Sequence, residues 1–390
     1  MKTIGIIIPY AFPETGAASM RAHAFAMALQ TRGYNPIIFA PEKGLAPNQT
    51  PYQIIRFKKK IMLGKLFQEY DVQLVIASTP PADLGMAALI FAKLQRIPLF
   101  ADIRDPWVFD KQAVGLIKPK TLKFAIQKMI EKWFYTFADE RFVVTAWTAA
   151  LFENGLGIPA TQFKLIPNGV QTEFFDTKEK NSNIRNKIRT KLGIPKKSIV
   201  FLFLGSVWRN IPEFIRQIKP TLLEKNAFLL IVGNTDNQST RHMMEKINQV
   251  IEGEELRERV RLSLNVQAQE IPGYLHTSDI GVNIIGESLQ YSVTVKTYEY
   301  AYAKLPILSI GPKEGALAQF HRTLKSGYYC NTWEEFNAKA NSIIKNLSEQ
   351  KKLASQDSKF VGEHFSRSKW SDKVVDIVDS HLNNSLIIKK

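Results

Sequence analysis

The chain has 390 residues, 45% of them hydrophobic and 23% charged. That is too long for one ordinary domain, suits two, and supplies apolar material for two cores. The single cysteine, Cys330, excludes a disulfide framework and any zinc site resting on cysteines, and fits a reduced, cytosolic setting. A net charge of +16 favours anionic partners: nucleotide diphosphates, lipid phosphates, anionic membrane surfaces or nucleic acid.

In chain order, MKTIGIIIPYAF has one lysine and a short apolar run, without the long apolar region and cleavage site of a signal peptide; it reads as a buried first strand. No run reaches the roughly 18 apolar residues that span a bilayer. After a turn, residues 19–32 place Met20, Phe25, Met27 and Leu29 at helical spacing, and Gly33 ends that helix. PIIFA (36–40), QLVIAS (73–78), LFADIRD (99–105) and ERFVVTA (140–146) follow as strands. Strands and helices alternating at this rhythm predict a doubly wound α/β sheet.

The rhythm restarts with SIVFLFLGS (198–206), AFLLIVGN (227–234), RVRLSL (259–264), DIGVNII (279–285) and LPILSIG (305–311). Between the two sets, 172–197 is rich in Lys, Asn and Asp and reads as a linker with a surface helix. Residues 364–382 carry Trp370, Val374, Val375, Ile377, Val378 and Leu382 on one helical face; 386–390 reads as a frayed tail. The expected organisation is two Rossmann-like domains facing a cleft, 1–167 and 168–367, with a helix of 368–390 returning to the first. Ligands of such sheets bind at the carboxyl ends of the strands.

Several segments together resemble the retaining GT-B glycosyltransferases of family-4 type, in their bacterial surface-polysaccharide branch. LIPNGVQTEFF (165–175) is similar to I-P-N-G-V-D-x-x-x-F, with Gln171 where Asp is usual. KTYEYAYAKLPIL (296–308) is similar to K-x-x-E-Y-M-A-x-G-x-P-I-L, with Lys304 where Gly is usual. GAASMRAHAFAMALQTRGY resembles the N-terminal glycine loop and helix, and ADIRDPW the D-x-R-D-x-W segment. FLFLGS, LLIVGN and EIPGYLHTSDIGV keep the family's order, so the resemblance runs nearly end to end.

The resemblance makes Glu299 the later glutamate of E-x7-E, holding ribose or sugar hydroxyls of the donor. A carboxylate in the first turn of a helix also suits the dipole without any ligand. The earlier glutamate falls at Tyr291 and is missing; Glu287 lies nearby but out of register. Ser292, Val293, Thr294 and Lys296 lead into the helix, whose N-terminal N–H groups can take a diphosphate; Ser and Thr there also serve as ordinary caps. The leaving diphosphate needs positive charge. Arg209 and Lys296, with the helix dipole, are the candidates, since the family's Lys-Gly pair after Gly205 is absent. Gly233 and Asn234 end a strand where the base or ribose would lie, or form a turn. Gly16 allows close backbone approach. Arg21 matches a frequent family arginine, or is solvated.

Asp102, Arg104 and Asp105 close a strand. Two carboxylates around a cation imply pairing or use. Asp102 or Asp105 is the candidate that orients or deprotonates the acceptor hydroxyl; an internal Arg–Asp pair is the alternative. None of the six histidines has metal-ligand spacing, His23 reads as a helix-surface residue, and no D-x-D stands at a strand end. No metal or other cofactor is expected beyond the co-substrate.

Residues 116–137, LIKPKTLKFAIQKMIEKWFYTF, set Leu122, Ile126, Met129, Ile130, Trp133 and Phe137 in a stripe beside Lys118, Lys120, Lys123, Lys128 and Lys132. Such a helix either faces a core or lies on an anionic membrane. Lys58–Lys60 adds a second basic spot. The expected function is transfer of a sugar from a nucleoside diphosphate sugar, UDP before GDP, to a glycan or lipid-linked glycan in surface-polysaccharide assembly. The chain would be cytoplasmic or peripheral on the inner membrane face. The rival readings are a catalytically degenerate GT-B scaffold and an epimerase; nucleic acid binding has no motif behind it.

Overall fold

A computed structural model describes residues 1–12, 16–42, 50–113, 115–175, 181–205, 210–233, 238–286 and 290–387. The chain divides into two compact units. The first holds Met1–Asn168, Tyr291–Val293 and the segment from Arg367; the second holds Gly169–Gln290 and Thr294–Ser366.

The first unit runs β1 (Thr3–Ile7), α1 (Ala17–Thr31), β2 (Asn35–Pro41), β3 (Gln53–Phe57), α2 (Met62–Glu69), β4 (Val72–Thr79), α3 (Ala82–Leu94), β5 (Leu99–Ile103), α4 (Trp107–Ala113), α5 (Leu122–Phe137), β6 (Glu140–Val143), α6 (Ala146–Leu156) and β7 (Lys164–Leu165). Its sheet has the order β3-β2-β1-β4-β5-β6-β7, all pairs parallel. β1 and β5 are buried over their whole length, as strands covered on both faces must be.

The second unit contains α7 (Asn181–Lys191), β8 (Ile199–Leu204), α8 (Ile211–Glu224), β9 (Ala227–Gly233), α9 (Gln238–Gly253), β10 (Val260–Leu264), α10 (Ile271–Thr277), β11 (Ile280–Ile284), α11 (Val295–Tyr302), β12 (Ile307–Ile310), α12 (Ala316–His321), β13 (Tyr328–Cys330), α13 (Trp333–Lys345) and α14 (Leu347–His364). Its sheet is β10-β9-β8-β11-β12-β13, again parallel. The last helix, α15 (Arg367–Ile387), buries Val374, Val375, Val378 and Leu382 with Phe25, Ala26 and Leu29 of α1.

Three readings are sharpened. The helix at 181–191 is a surface helix tied down along one face. Arg189 is buried and donates to the carbonyls of Thr277, Pro195, Lys196 and Ser198 and to Asp279. Arg185 donates to the carbonyls of His276, Thr277 and Ser278, satisfying the end of α10, and Lys351 adds a third cation to Asp279. Residues 386–387 continue α15. The stripe on α5 faces solvent: Leu122, Ile126, Met129, Trp133 and Phe137 are exposed, while Glu131, Phe134 and Tyr135 are buried.

α11 ends in a Schellman arrangement, with Leu305 N–H on the Tyr300 carbonyl (3.0 Å) and Lys304 N–H on that of Ala301 (3.1 Å). Lys304 takes the left-handed position, φ 62°. That is the physical reason for glycine in the resembled motif, because a Cβ is strained there. Lys304→Gly is therefore expected to raise stability by up to about 1 kcal/mol, read as a higher denaturant midpoint with unchanged slope. A lower midpoint would contradict this account.

Candidate active site

Each sheet reverses its order once, at β1/β4 and at β8/β11, and the crevices that take ligands in doubly wound sheets lie at the carboxyl ends there. In the second unit Gly205 follows β8, and α11 follows β11. Tyr300 fixes α11 against both strands. Its hydroxyl donates to the Leu202 carbonyl (3.1 Å) and accepts from Leu204 N–H (2.8 Å). Its ring covers Gly281, where a Cβ would come within 2.5 Å of it. The glycine of DIGVN is thus the space that Tyr300 needs.

The α11 cap residue Thr294 makes no side-chain capping bond to the helix backbone; Thr297 N–H turns back to the Thr294 carbonyl (3.0 Å), and the N–H groups of Val295 and Lys296 are left for a ligand. Instead Thr294 Oγ1 pairs with Thr297 Oγ1 (2.9 Å), which also receives Asn283 Nδ2 (3.2 Å). Asn283 continues to Ser309 (3.2 Å), and Ser309 to His321 (2.8 Å). Burial pushes His321 down to about 3, so this last partner is neutral.

Lys296, in the first turn, lies along the end of β8. Its ammonium sits 3.9 Å from the Phe203 ring centroid, and its Cδ lies 4.0 Å from where a Gly205 Cβ would be. Gly205 has φ 124°, which only glycine adopts readily. Burial pushes Lys296 down to about 7, opposed by the charge of Glu299 one turn on. Glu299 itself is half-buried.

In the first unit Gly16 (φ 149°) opens α1, again with no side-chain cap. One turn in, Arg21 Nε and Nη2 bind Asp102 Oδ1 at 2.9 and 2.8 Å, and Nη1 donates to the Pro167 carbonyl at 2.9 Å. Ser78 donates to Asp102 Oδ2 at 3.0 Å. Both charged side chains are 2% exposed. Arg104 turns away, to Ser78 Oγ and the Pro80 carbonyl, both at 3.0 Å. Asp105 is half-buried. Burial raises its carboxyl above the usual range, with Arg104 opposing.

Behind Asp105 lie two more acids. Glu131 of α5 is fully buried and accepts Val108 N–H of α4 at 3.0 Å; its second oxygen has no partner among the described residues. Burial pushes Glu131 up to about 8, and burial together with the charges of Asp105 and Glu131 brings Asp110 to about 8. Lys111 stands over the Trp107 ring at 3.2 Å. Among the described residues, no three His, Cys, Asp or Glu side chains are grouped to hold a metal ion.

Residues 18–174 match the family described as Glycosyltransferase Family 4. No curated protein matches the chain. Among solved structures, sucrose-phosphate synthase from Thermosynechococcus elongatus is 14% identical over 100% of both chains, with a TM-score of 0.76. HepE from Anabaena, in complex with UDP and glucose, is 15% identical over 97% of this chain and 100% of that one, with a TM-score of 0.75. A glycosyltransferase from Rickettsia africae is 15% identical over 98% and 99%, with a TM-score of 0.72. At such identities these likenesses carry the fold, GT-B; the matched N-terminal segment carries the activity. The chain is a glycosyltransferase.

Of the residues that the sequence singles out in this glycosyltransferase, Gly205, Thr294, Lys296 and Glu299 gather at the β8/β11 end of the second sheet. Gly233 ends the adjacent β9. Ser292 and Val293 are buried and grouped with the first unit, where the Tyr291 carbonyl accepts from Thr148 at 3.0 Å. Arg209, Asn234 and Glu287 lie outside the described residues. Arg21 is not solvated, and the internal arginine of Asp102 is Arg21 rather than Arg104. His23 is half-buried, bonded to Tyr52 (2.6 Å) and stacked on Phe12. Sequence reasoning missed Phe203 and Tyr300, which hold Lys296 and its helix. It also missed Glu131, whose signal was being the one acid among the lysines of α5.

Two expectations separate structure from chemistry here. Asp102→Ala leaves a buried guanidinium unpaired and is expected to cost about 3–5 kcal/mol, whereas Asp105→Asn leaves the unfolding midpoint near that of the parent; equal losses would refute the distinction. For Glu131 and Asp110 the folded pKa lies above the unfolded one. The folded state keeps protons that the unfolded chain has released, so stability falls as pH rises from the usual carboxylate range to about 8. Glu131→Gln, which still accepts Val108 N–H, should flatten that fall in melting temperature; an unchanged slope would exclude Glu131 as its source.

Proposed function

We propose that this glycosyltransferase is retaining and transfers a sugar from a nucleoside diphosphate sugar, UDP before GDP, to a glycan or lipid-linked glycan in surface-polysaccharide biosynthesis. It works from the cytoplasmic side, peripheral to the membrane. The observation that carries this is the uncapped α11 N-terminus with Lys296 beside it at the carboxyl end of β8. Backbone N–H groups and one ammonium then receive the diphosphate as negative charge develops on it. Glu299 accepts donor hydroxyls, and Gly233 lets the nucleoside approach the backbone. Arg209 and Asn234 are proposed for the same site on the sequence alone, as are Ser292 and Val293. HepE has been crystallised with UDP-glucose, which supports the UDP preference.

On the acceptor side, Gly16 and Asp105 act at the β1/β4 end of the first sheet. Asp105, whose carboxyl is raised by burial, takes or orients the acceptor hydroxyl proton, and Asp102 positions the loop through Arg21. Attack on the face from which the leaving group departs needs no protein nucleophile. The cations of the chain itself supply the leaving-group stabilisation, so transfer is proposed to be independent of divalent metal.

Glu299→Ala is expected to abolish transfer, and Lys296→Met to lower it by about 10²- to 10³-fold. UDP at millimolar concentration should raise the melting temperature more than GDP. No shift with either would favour the degenerate scaffold. EDTA should leave turnover unchanged. Lys296 must be protonated to hold the diphosphate, and its pKa in the free enzyme is about 7. The donor KM should therefore rise as pH increases above 7, and the Lys296→Met variant should lose that dependence. A pH-independent KM in the parent would remove Lys296 from the phosphate site.

A further inference from the structure

α5 presents opposite chemistry on its two sides. Glu131, Phe134 and Tyr135 face inward and are buried. Phe134 packs where a Cβ on Gly85 of α3 would stand, 2.8 Å away, so the inward contact is close. At 3.6 residues per turn, Leu122, Ile126, Met129, Trp133 and Phe137 fall together on the opposite side. All are exposed, Leu122 at 77%, Trp133 at 52% and Phe137 at 58%. Lys123 flanks this stripe on one side, Lys128 and Lys132 on the other. Lys118 and Lys120 stand exposed just before the helix, beside exposed Leu116. Between Leu116 and Phe137 the only acid is Glu131, which is buried. The exposed charge of the segment is therefore entirely positive.

We infer that the outward face of α5 is a docking surface for an anionic phospholipid bilayer, its apolar stripe entering the headgroup region and its lysines meeting lipid phosphates. A large solvent-facing apolar stripe bordered by cations is the pattern of a helix lying in the interface plane. No helix among the described residues is long and apolar enough to cross a membrane, so the contact is superficial. A second copy of the chain is a poor occupant: a two-fold contact through this face sets lysine rows against lysine rows. The inference rests on the proposed lipid-linked acceptor for its purpose. It is read by binding and not by turnover.

The test is co-sedimentation of the full chain with vesicles of equal parts phosphatidylcholine and phosphatidylglycerol, against pure phosphatidylcholine, at low and high salt. Binding is expected to the anionic vesicles only and to weaken with salt. Each of Lys123, Lys128 and Lys132 changed to Gln should lower partitioning about fivefold. Leu122→Ser with Trp133→Ser and Phe137→Ser should abolish it with an unchanged melting temperature, since these side chains are exposed already. Three results would overturn the inference: no sedimentation of the parent at low salt, equal binding by the serine variant, or a dimeric parent that the serine changes make monomeric. Donor turnover on a soluble acceptor separates the two readings. Intact binding without any turnover leaves the docking face standing and removes the transferase assignment; the reverse removes only the docking face.

Discussion

The buried pair Arg21–Asp102 is the interaction around which the first unit is assembled. An ionised side chain removed from water costs several kcal/mol unless fully paired, and here every polar position of the pair is used. Asp102 takes Arg21 and Ser78, and the remaining guanidinium nitrogen takes the Pro167 carbonyl. Those partners come from α1, β5, β4 and the segment after β7. One pair thus fixes the helix that follows the Gly16 loop against the strand that delivers Asp105. Because both oxygens of Asp102 are engaged by Arg21 and Ser78, the acceptor-side role proposed above is given to Asp105, two peptide units beyond the strand end.

The second unit solves the same problem without a buried pair at its site. Tyr300 spans from α11 to β8, and Gly281 yields the room for its ring. With α11 so anchored, Lys296 has one direction to go, over Phe203 and along Gly205. The aromatic face partly replaces lost hydration, yet burial still depresses the ammonium. In the proposed donor site, that cost would be recovered when the diphosphate arrives beside the ammonium. Three other cations of this unit, Arg185, Arg189 and Lys351, are engaged by Asp279, and the two arginines also by the carbonyls that end α10.

What the sequence made legible follows from physical range. Strands buried on both faces announce themselves as continuous apolar runs, so β1, β4, β5, β8, β9, β11 and β12 were readable. β3, β7 and β13 were not, because each is a sheet edge, where little apolar content is demanded, and β7 and β13 are only two and three residues long. Gly205 and Lys296 could be placed near one another from the resembled motifs. Arg21 and Asp102 stand 81 residues apart, and no local spacing encodes such a contact. Lys304 shows the converse: the departure from glycine was visible in the sequence, but only the backbone angle says what it costs.

α5 marks the sharper limit. Periodicity fixes which residues share a face, and it placed Leu122, Ile126, Trp133 and Phe137 together. It is blind to which face meets the sheet. The inward face is carried by Phe134 and Tyr135, whose rings fill the core, with Glu131 between them and α4 to receive Val108 N–H. With that side buried, the stripe on the opposite side is left facing outward. The same inward turn sets Glu131 beside Asp110, behind the loop that carries Asp105. One helix therefore carries an outward apolar face and, on its opposite side, the carboxyl that holds α4, and exposed side chains of the first can change without disturbing the second.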